Sequence, residues 1–275
     1  MNNANKNKMF VVDYDGTLAT SEGYVNKNTI KKFEEIEHKN IIRVINTGRS
    51  LFSLRNVIDD DFPVDYVVFS AGIGIYDWKN KIILQSYSLT VSDTAEIYNF
   101  LCKHKYDFMV QLPVPDNHYF HHFGNIKNNS DFRTRINNYE SYGISSINEC
   151  PTQASQFVII CAKNTDYYNQ IKSRFMKVNV IKATSPINHK SIWVEILPAN
   201  VSKASGIEFI RRKLNIDINN IVAVGNDYYD LDMLEYVNKN NAYIVSNAPK
   251  EMKPLFNLIE SNDENAIAKL IDSIY

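Results

Sequence analysis

Rhythm constrains this chain most: at both ends, short apolar runs alternate with helical patterns. Met9–Val12 (MFVV) is a continuous apolar run, as expected of a strand buried on both faces of a parallel sheet. Residues 28–39 (NTIKKFEEIEHK) place Ile30, Phe33 and Ile36 three apart with charges between them, which predicts an amphipathic helix. Ile41–Ile45 reads as a second strand, Ser50–Ile58 as a second helix and Val64–Ser70 as a third strand. Strand, helix, strand, helix, strand at this pitch predicts an α/β fold with a Rossmann-like, doubly wound parallel sheet.

The rhythm returns near the end. A helix over Ser202–Leu214, a buried strand Ile221–Val224, a helix over Leu231–Val237, a strand Ala242–Val245 and a closing helix Glu264–Ile274 continue it. Between the two parts Tyr, His and Asn become more frequent. Strands are predicted there at Phe108–Leu112, Gln156–Ala162 and Trp193–Leu197, with helices over Asp93–His104 and Asp166–Met176. The expected organisation is therefore a core from residues 1–86 and 198–275, interrupted by an α+β insertion over 87–197.

Composition narrows the partners. The chain has 275 residues, 44% of them hydrophobic and 22% charged, which excludes low-complexity and disordered classes. A net charge of −1 offers no general grip on nucleic acid or anionic membrane, so neither partner is expected and any phosphate must be held locally. The opening Met1–Lys8 is polar, without a signal-like apolar stretch, and reads as a frayed tail. No window approaches the roughly 20 apolar residues of a membrane span. Cys102, Cys150 and Cys161 are too scattered for a disulfide framework, so a cytoplasmic location is expected.

Polar motifs follow the predicted strands. Asp13-Tyr14-Asp15-Gly16-Thr17-Leu18 comes directly after the first. Alone it would serve as a turn. At the carboxyl end of a parallel strand, however, two carboxylates this close repel unless a cation or a shared proton intervenes, and Mg²⁺ is the natural resolution. Asn46-Thr47-Gly48-Arg49-Ser50 ends the second strand just before a helix, where the Thr47 hydroxyl and the following backbone N–H groups suit an anion. Lys203 opens a helix, and a lysine there opposes the macrodipole and asks for an anionic partner. Strand Ile221–Val224 runs into Gly225-Asn226-Asp227-Tyr228-Tyr229-Asp230, a further acidic turn.

Four such elements in this order resemble the haloacid dehalogenase superfamily of phosphohydrolases, specifically its Cof-type branch (subclass IIB) with a cap between the second and third motifs. The resemblance spans essentially the whole chain. It implies a phosphatase acting on small phosphate monoesters, with sugar phosphates as the expected substrates and Mg²⁺ as cofactor. It also implies that Asp13 is the nucleophile that forms an aspartyl-phosphate and that Asp15 is the general acid and base. Thr47, Gly48 and Lys203 would hold the phosphoryl group. The metal would be held by the Asp13 carboxylate, the Asp15 carbonyl and the acidic motif, where Asn226, Asp227 and Asp230 are candidates. The motif departs from the family pattern: Asn226 stands where an Asp is usual and Tyr229 where an Asn is. Either Asn226 or Asp227 could supply the missing oxygen.

Substrate contacts are expected from Arg49 and, in the cap, from His118, His121 and Arg133, with His122 and Trp193 as further possibilities. Alternatives are a phosphomutase, a dedicated disaccharide-phosphate phosphatase, or a catalytically weak Mg²⁺-binding regulatory protein. A monomer or homodimer is expected. Gly72-Ile73-Gly74 lacks the third glycine of a dinucleotide loop, and no GxxxxGK[ST] occurs.

Overall fold

The computed structural model describes residues 8–125, 128–140, 145–147, 149–161, 166–185 and 191–275. The tail expected over residues 1–8 lies, apart from Lys8, outside them. The chain divides into two compact units, residues 1–85 with 202–275, and residues 86–201.

In the first unit β1 (Lys8–Val12), α1 (Lys27–Glu37), β2 (Ile41–Asn46), α2 (Leu51–Arg55), β3 (Tyr66–Phe69), β4 (Gly74–Asp77) and β5 (Ile82–Ser86) follow in order. The second unit contributes α3 (Val91–Lys103), β6 (Phe108–Gln111), β7 (Phe120–Phe123), α4 (Ser130–Tyr139), β8 (Ser145–Ser146), β9 (Gln156–Cys161), α5 (Tyr167–Arg174), β10 (Asn179–Thr184) and β11 (Ile192–Leu197). The first unit then resumes with α6 (Lys203–Lys213), β12 (Ile221–Gly225), α7 (Leu231–Tyr236), β13 (Ala242–Val245), β14 (Asn257–Ile259) and α8 (Ala266–Ile274).

Among the described residues the first unit forms an eight-stranded sheet in the order β14-β13-β12-β1-β2-β3-β4-β5. Neighbours from β14 to β3 are parallel, whereas β4 turns back antiparallel to β3. The fold is thus mostly parallel rather than wholly so. Met9–Val12 are completely buried, as a strand covered on both faces must be. The chain runs from β1 outward to β3 on one side and returns as β12 on the other. That reversal opens a crevice at the carboxyl ends of β1, β2 and β12, where doubly wound sheets place ligands.

The second unit has a six-stranded sheet, β10-β11-β9-β6-β7-β8, antiparallel except for the β7–β8 pair. Its strands alternate by face. Phe108, Val110, Phe157 and Ile159 pack with Ile97 and Leu101 of α3 and Ile171 of α5, while Met109, Val158 and Ile160 pack with Phe132 and Ile136 of α4. Both faces therefore carry a core. Trp193 belongs to the second of these: it is buried, and its indole N–H donates to Asp131 at 2.7 Å. The expectation that Trp193 contacts a ligand is corrected accordingly.

Candidate active site

The crevice of the first unit is built by four chain segments. After β1 the backbone makes a wide turn in which Leu18 N–H donates to the Asp13 carbonyl at 3.1 Å and Ala19 N–H to that of Tyr14 at 2.9 Å. Gly16 sits at φ +74°, and a Cβ there would lie 2.5 Å from Asn226 Nδ2, so both conformation and space require glycine. The Thr17 hydroxyl lies 3.2 Å from Asp13 Oδ2 and 3.2 Å from Asn226 Oδ1, its one proton shared between them.

Lys203 occupies the first turn of α6. Its Nζ lies 2.6 Å from Asp13 Oδ1 and 2.5 Å from Asp230 Oδ1. Asp13, Lys203 and Asp230 are only 5%, 2% and 1% exposed. Two carboxylates against one ammonium leave a buried negative charge. Burial, followed by the Asp230 charge, pushes the Asp13 carboxyl up to about 8 despite Lys203. Burial also works against the Lys203 ammonium, but Asp13 and Asp230 outweigh it and hold that group above its ordinary value.

The acidic turn after β12 gives each residue a different job. Asp230 Oδ2 accepts the backbone N–H groups of Asn226 and Asp227 at 2.8 and 3.1 Å, so with Lys203 on Oδ1 both of its oxygens are engaged. Asp227 Oδ1 accepts the Tyr228 N–H at 2.8 Å and thereby caps its own turn. Asn226 presents Oδ1 across the Thr17 hydroxyl from Asp13.

These donors suit a hard divalent cation. Oxygens from Asp13 and Asn226 converge where a buried negative charge is uncompensated, and the Asp15 carbonyl follows two residues on. Among the described residues no three His, Cys, Asp or Glu side chains form a metal cage. A bound ion would accordingly rest on few side chains and retain several waters, which is the habit of Mg²⁺.

Thr47 is buried at the end of β2, its N–H donating to the Val68 carbonyl at 2.8 Å and its hydroxyl accepting the Arg49 N–H at 3.1 Å. Arg49 grips Asp15 with two bonds, Nε to Oδ2 at 2.8 Å and Nη2 to Oδ1 at 2.7 Å. This pair is open to solvent, with the Asp15 side chain 47% exposed.

Further groups, given no role in the sequence reading, support the site. Asn46 Nδ2 donates to the Lys203 carbonyl at 2.9 Å, and Asp232 Oδ2 accepts the Ala204 N–H at 2.9 Å. Ser70 and Ala71, both at positive φ, donate their N–H groups to the Arg49 and Thr47 carbonyls at 2.8 and 3.0 Å, bracing the Thr47 loop from β3. Asn46 opens the motif that ends β2, but its reach to the α6 backbone depends on the tertiary fold.

Thus Asp13, Asp15, Thr47, Gly48, Arg49, Lys203, Asn226, Asp227 and Asp230 all lie at the strand ends of one unit. The remaining candidates lie in the other unit. His118 is in the turn before β7, its ring tilted 41° against that of Tyr119 with centroids 4.1 Å apart, His121 is half-buried on β7, and Arg133 is exposed on α4. His122 packs edge-on against Phe132 at 6.0 Å. Burial lowers both His118 and His122 from the ordinary histidine value.

Comparison with known proteins identifies the family. The model of the haloacid dehalogenase-like hydrolase family matches residues 10–271. Two Bacillus subtilis proteins, each named a 5-amino-6-(5-phospho-D-ribitylamino)uracil phosphatase, are similar over nearly their full lengths. One is 24% identical, with 97% of this chain and 98% of that protein covered, and the other is 22% identical, with 96% and 94% covered. A phosphatase of the same superfamily from Bacteroides thetaiotaomicron has a similar structure, with TM-score 0.79 at 16% identity over 99% of this chain and 97% of that one. Among the described residues no helix is long and apolar enough to cross a membrane. The chain belongs to the haloacid dehalogenase-like hydrolases, as a phosphatase of their Cof-type, subclass IIB branch.

Proposed function

We propose that this phosphatase hydrolyses small phosphate monoesters of sugars or sugar-like metabolites, with Mg²⁺, through an aspartyl-phosphate on Asp13. The supporting observation is the buried Asp13–Lys203–Asp230 group: burial and the Asp230 charge hold the Asp13 carboxyl up to about 8, because with both carboxylates ionised it would carry one negative charge more than Lys203 balances. Mg²⁺ bound at Asp13 Oδ2, the Asp15 carbonyl and Asn226 Oδ1 would supply the charge that lets a carboxylate approach an anionic phosphoryl group.

Asp13 attacks phosphorus, and the ester oxygen departs with a proton from Asp15. Asp15 then takes a proton from the water that hydrolyses the acyl phosphate. Lys203, Thr47 and the backbone N–H of Gly48 hold the phosphoryl oxygens. Asp230 acts through Lys203 and through the N–H groups that fix Asn226. Arg49 orients the Asp15 carboxylate and is a candidate contact to the ester group.

Substrate choice is assigned to the second unit, with His118, His121 and Arg133 as its polar candidates. A sugar-like ester is favoured by the two Bacillus relatives, which are named for a substrate that carries its phosphate on a ribityl chain. A cytoplasmic setting accords with Cys102, Cys150 and Cys161 standing as free thiols.

Hydrolysis of p-nitrophenyl phosphate in Mg²⁺ and in EDTA tests the proposal. Wild type should turn over only with Mg²⁺, and Asp13→Asn not at all. Turnover by Asp13→Asn at the wild-type rate would remove the nucleophile, and an inactive wild type across a panel of sugar phosphates would favour a Mg²⁺-binding regulatory protein.

A further inference from the structure

The geometry points to Tyr229 as a phosphoryl-binding residue of this chain. Resting on the phosphatase reading above, the inference deepens it at a position where the family pattern has asparagine.

Tyr229 lies across both elements expected to hold an anion. A Cβ on Gly48 would stand 2.6 Å from Tyr229 Cε1, 3.3 Å from Cζ and 3.4 Å from the phenol oxygen. The hydroxyl end of the ring, rather than its base, thus lies against the loop that follows Thr47. Gly48 is itself exposed, and any side chain there would displace the ring. The Lys203 ammonium stands 5.3 Å from the centroid of the same ring. One half-buried phenol therefore touches the anion loop of β2 and faces the cation of α6.

Its backbone is held firmly. Tyr229 is the middle residue of the turn Tyr228–Asp230, capped by Asp227 at one end. At the other end Asp230 is fixed by Lys203 and by two backbone N–H groups. A group so placed is pre-organised and needs little ordering when a ligand arrives. Phosphate oxygens are strong acceptors and a phenol O–H is a neutral donor, so the hydroxyl donates to an oxygen seated between Gly48 and Lys203. The ring, meanwhile, shields the Lys203–Asp13 pair from water and strengthens its electrostatics. An asparagine at this position has a shorter side chain and offers no such cover.

Calorimetric titration of inorganic phosphate with saturating Mg²⁺ tests this in wild type, Tyr229→Phe and Tyr229→His. Tyr229→Phe should bind phosphate about tenfold more weakly, the loss expected for one hydrogen bond to a charged group. Its melting temperature should be unchanged. Tyr229→His, which keeps a ring and a donor, should recover part of the affinity. Phosphate affinity within twofold of wild type in Tyr229→Phe would make Tyr229 packing alone, and no phosphate binding by wild type would overturn the assignment as well. If Tyr229→Phe is less stable, equal affinity in Tyr229→His and Tyr229→Phe overturns it. Failure of the underlying reading looks different: wild type that binds phosphate in a Tyr229-dependent way yet hydrolyses no ester would sink the phosphatase proposal and leave the binding role in place.

Discussion

Two buried cations in the first unit invite comparison. Arg43, in the middle of β2, is fully buried and donates to Asp65 through Nε and Nη2, both at 2.9 Å, and to Glu37 at 2.8 Å. Lys79 joins the group, 2.6 Å from Glu37 and 2.9 Å from Asp65, so two cations meet two carboxylates. Lys203 also faces two carboxylates, but among the described residues no second cation pairs with them. Acidities differ accordingly. Hydrogen bonds from Arg43 and then Lys79 pull Glu37 down to about 2, and the bonds from Arg43 hold Asp65 below its ordinary value although burial opposes them. Asp13 moves the other way, to about 8. A balanced cluster is finished structure. The unbalanced one is also the more deeply buried, Glu37 and Lys79 having side chains 41% and 52% exposed against 8% and 1% for Asp13 and Lys203, and it is the one proposed to take a ligand.

The largest effects should come from removing either cation. Lys203→Met and Arg43→Met each leave buried carboxylates without their partner and should cost about 3–5 kcal/mol in urea unfolding. Only Lys203→Met should also lower turnover, by about 10³-fold or more, as the loss of a phosphoryl-holding charge implies. If folded Arg43→Met loses turnover equally, the division between the two clusters fails.

Asp15 sharpens the contrast from the exposed side of the site. Asp15→Asn should lower turnover about 10²–10⁴-fold through loss of proton transfer. Because its partnership with Arg49 is open to solvent, the same change should alter unfolding free energy by less than about 1 kcal/mol. A large stability loss would mean that the pair is architectural.

Next in size is metal affinity. Asn226→Ala should raise the Mg²⁺ concentration needed for half-maximal turnover by about 10–100-fold. Asp227→Ala should chiefly cost its turn a cap, about 1 kcal/mol of stability. The reverse ranking would transfer the ligand role to Asp227.

The last effect is a difference of slope. The folded-state value of Asp13 is raised from 3.8 to about 8, so its contribution is complete below about pH 4 and is lost as the pH rises through about 8. Glu37 is lowered from 4.5 to about 2, so its contribution is present above about pH 4.5 and is lost as the pH falls through about 2. In EDTA, urea unfolding of wild type should therefore lose more stability than Asp13→Asn between pH 5 and 8, and Mg²⁺ should remove the difference. Parallel curves would show that Asp13 is already balanced.

Much of this was legible in the residues. Apolar runs such as Met9–Val12 and Ile221–Val224 can only be buried strands, and each motif follows one, which brings Asp13, Thr47 and Asp230 to one end of the sheet. Lys203 at a helix start demanded an anion, and the fold supplies two. Less visible were β4, β5, β7, β10 and β14, short or partly exposed strands whose alternation is too weak to separate from turn. The helix α4 also escaped, because its polar sequence SDFRTRINNY buries few apolar side chains.

Sequence by itself determined the kind of site: two aspartates, a hydroxyl loop, a lysine and an acidic turn, in an order that a doubly wound sheet brings together. Tertiary structure decided which oxygen serves which purpose. Asn226 and Asp227 are neighbours with similar oxygens, and only the rotation of the turn sets one toward Asp13 and the other toward its own backbone. Trp193 has the composition of a ligand contact but is claimed by Asp131, and Tyr229 has that of a surface aromatic but lies over Gly48. Partnerships between residues far apart in sequence depend on distances of an ångström or two, and local pattern does not encode them.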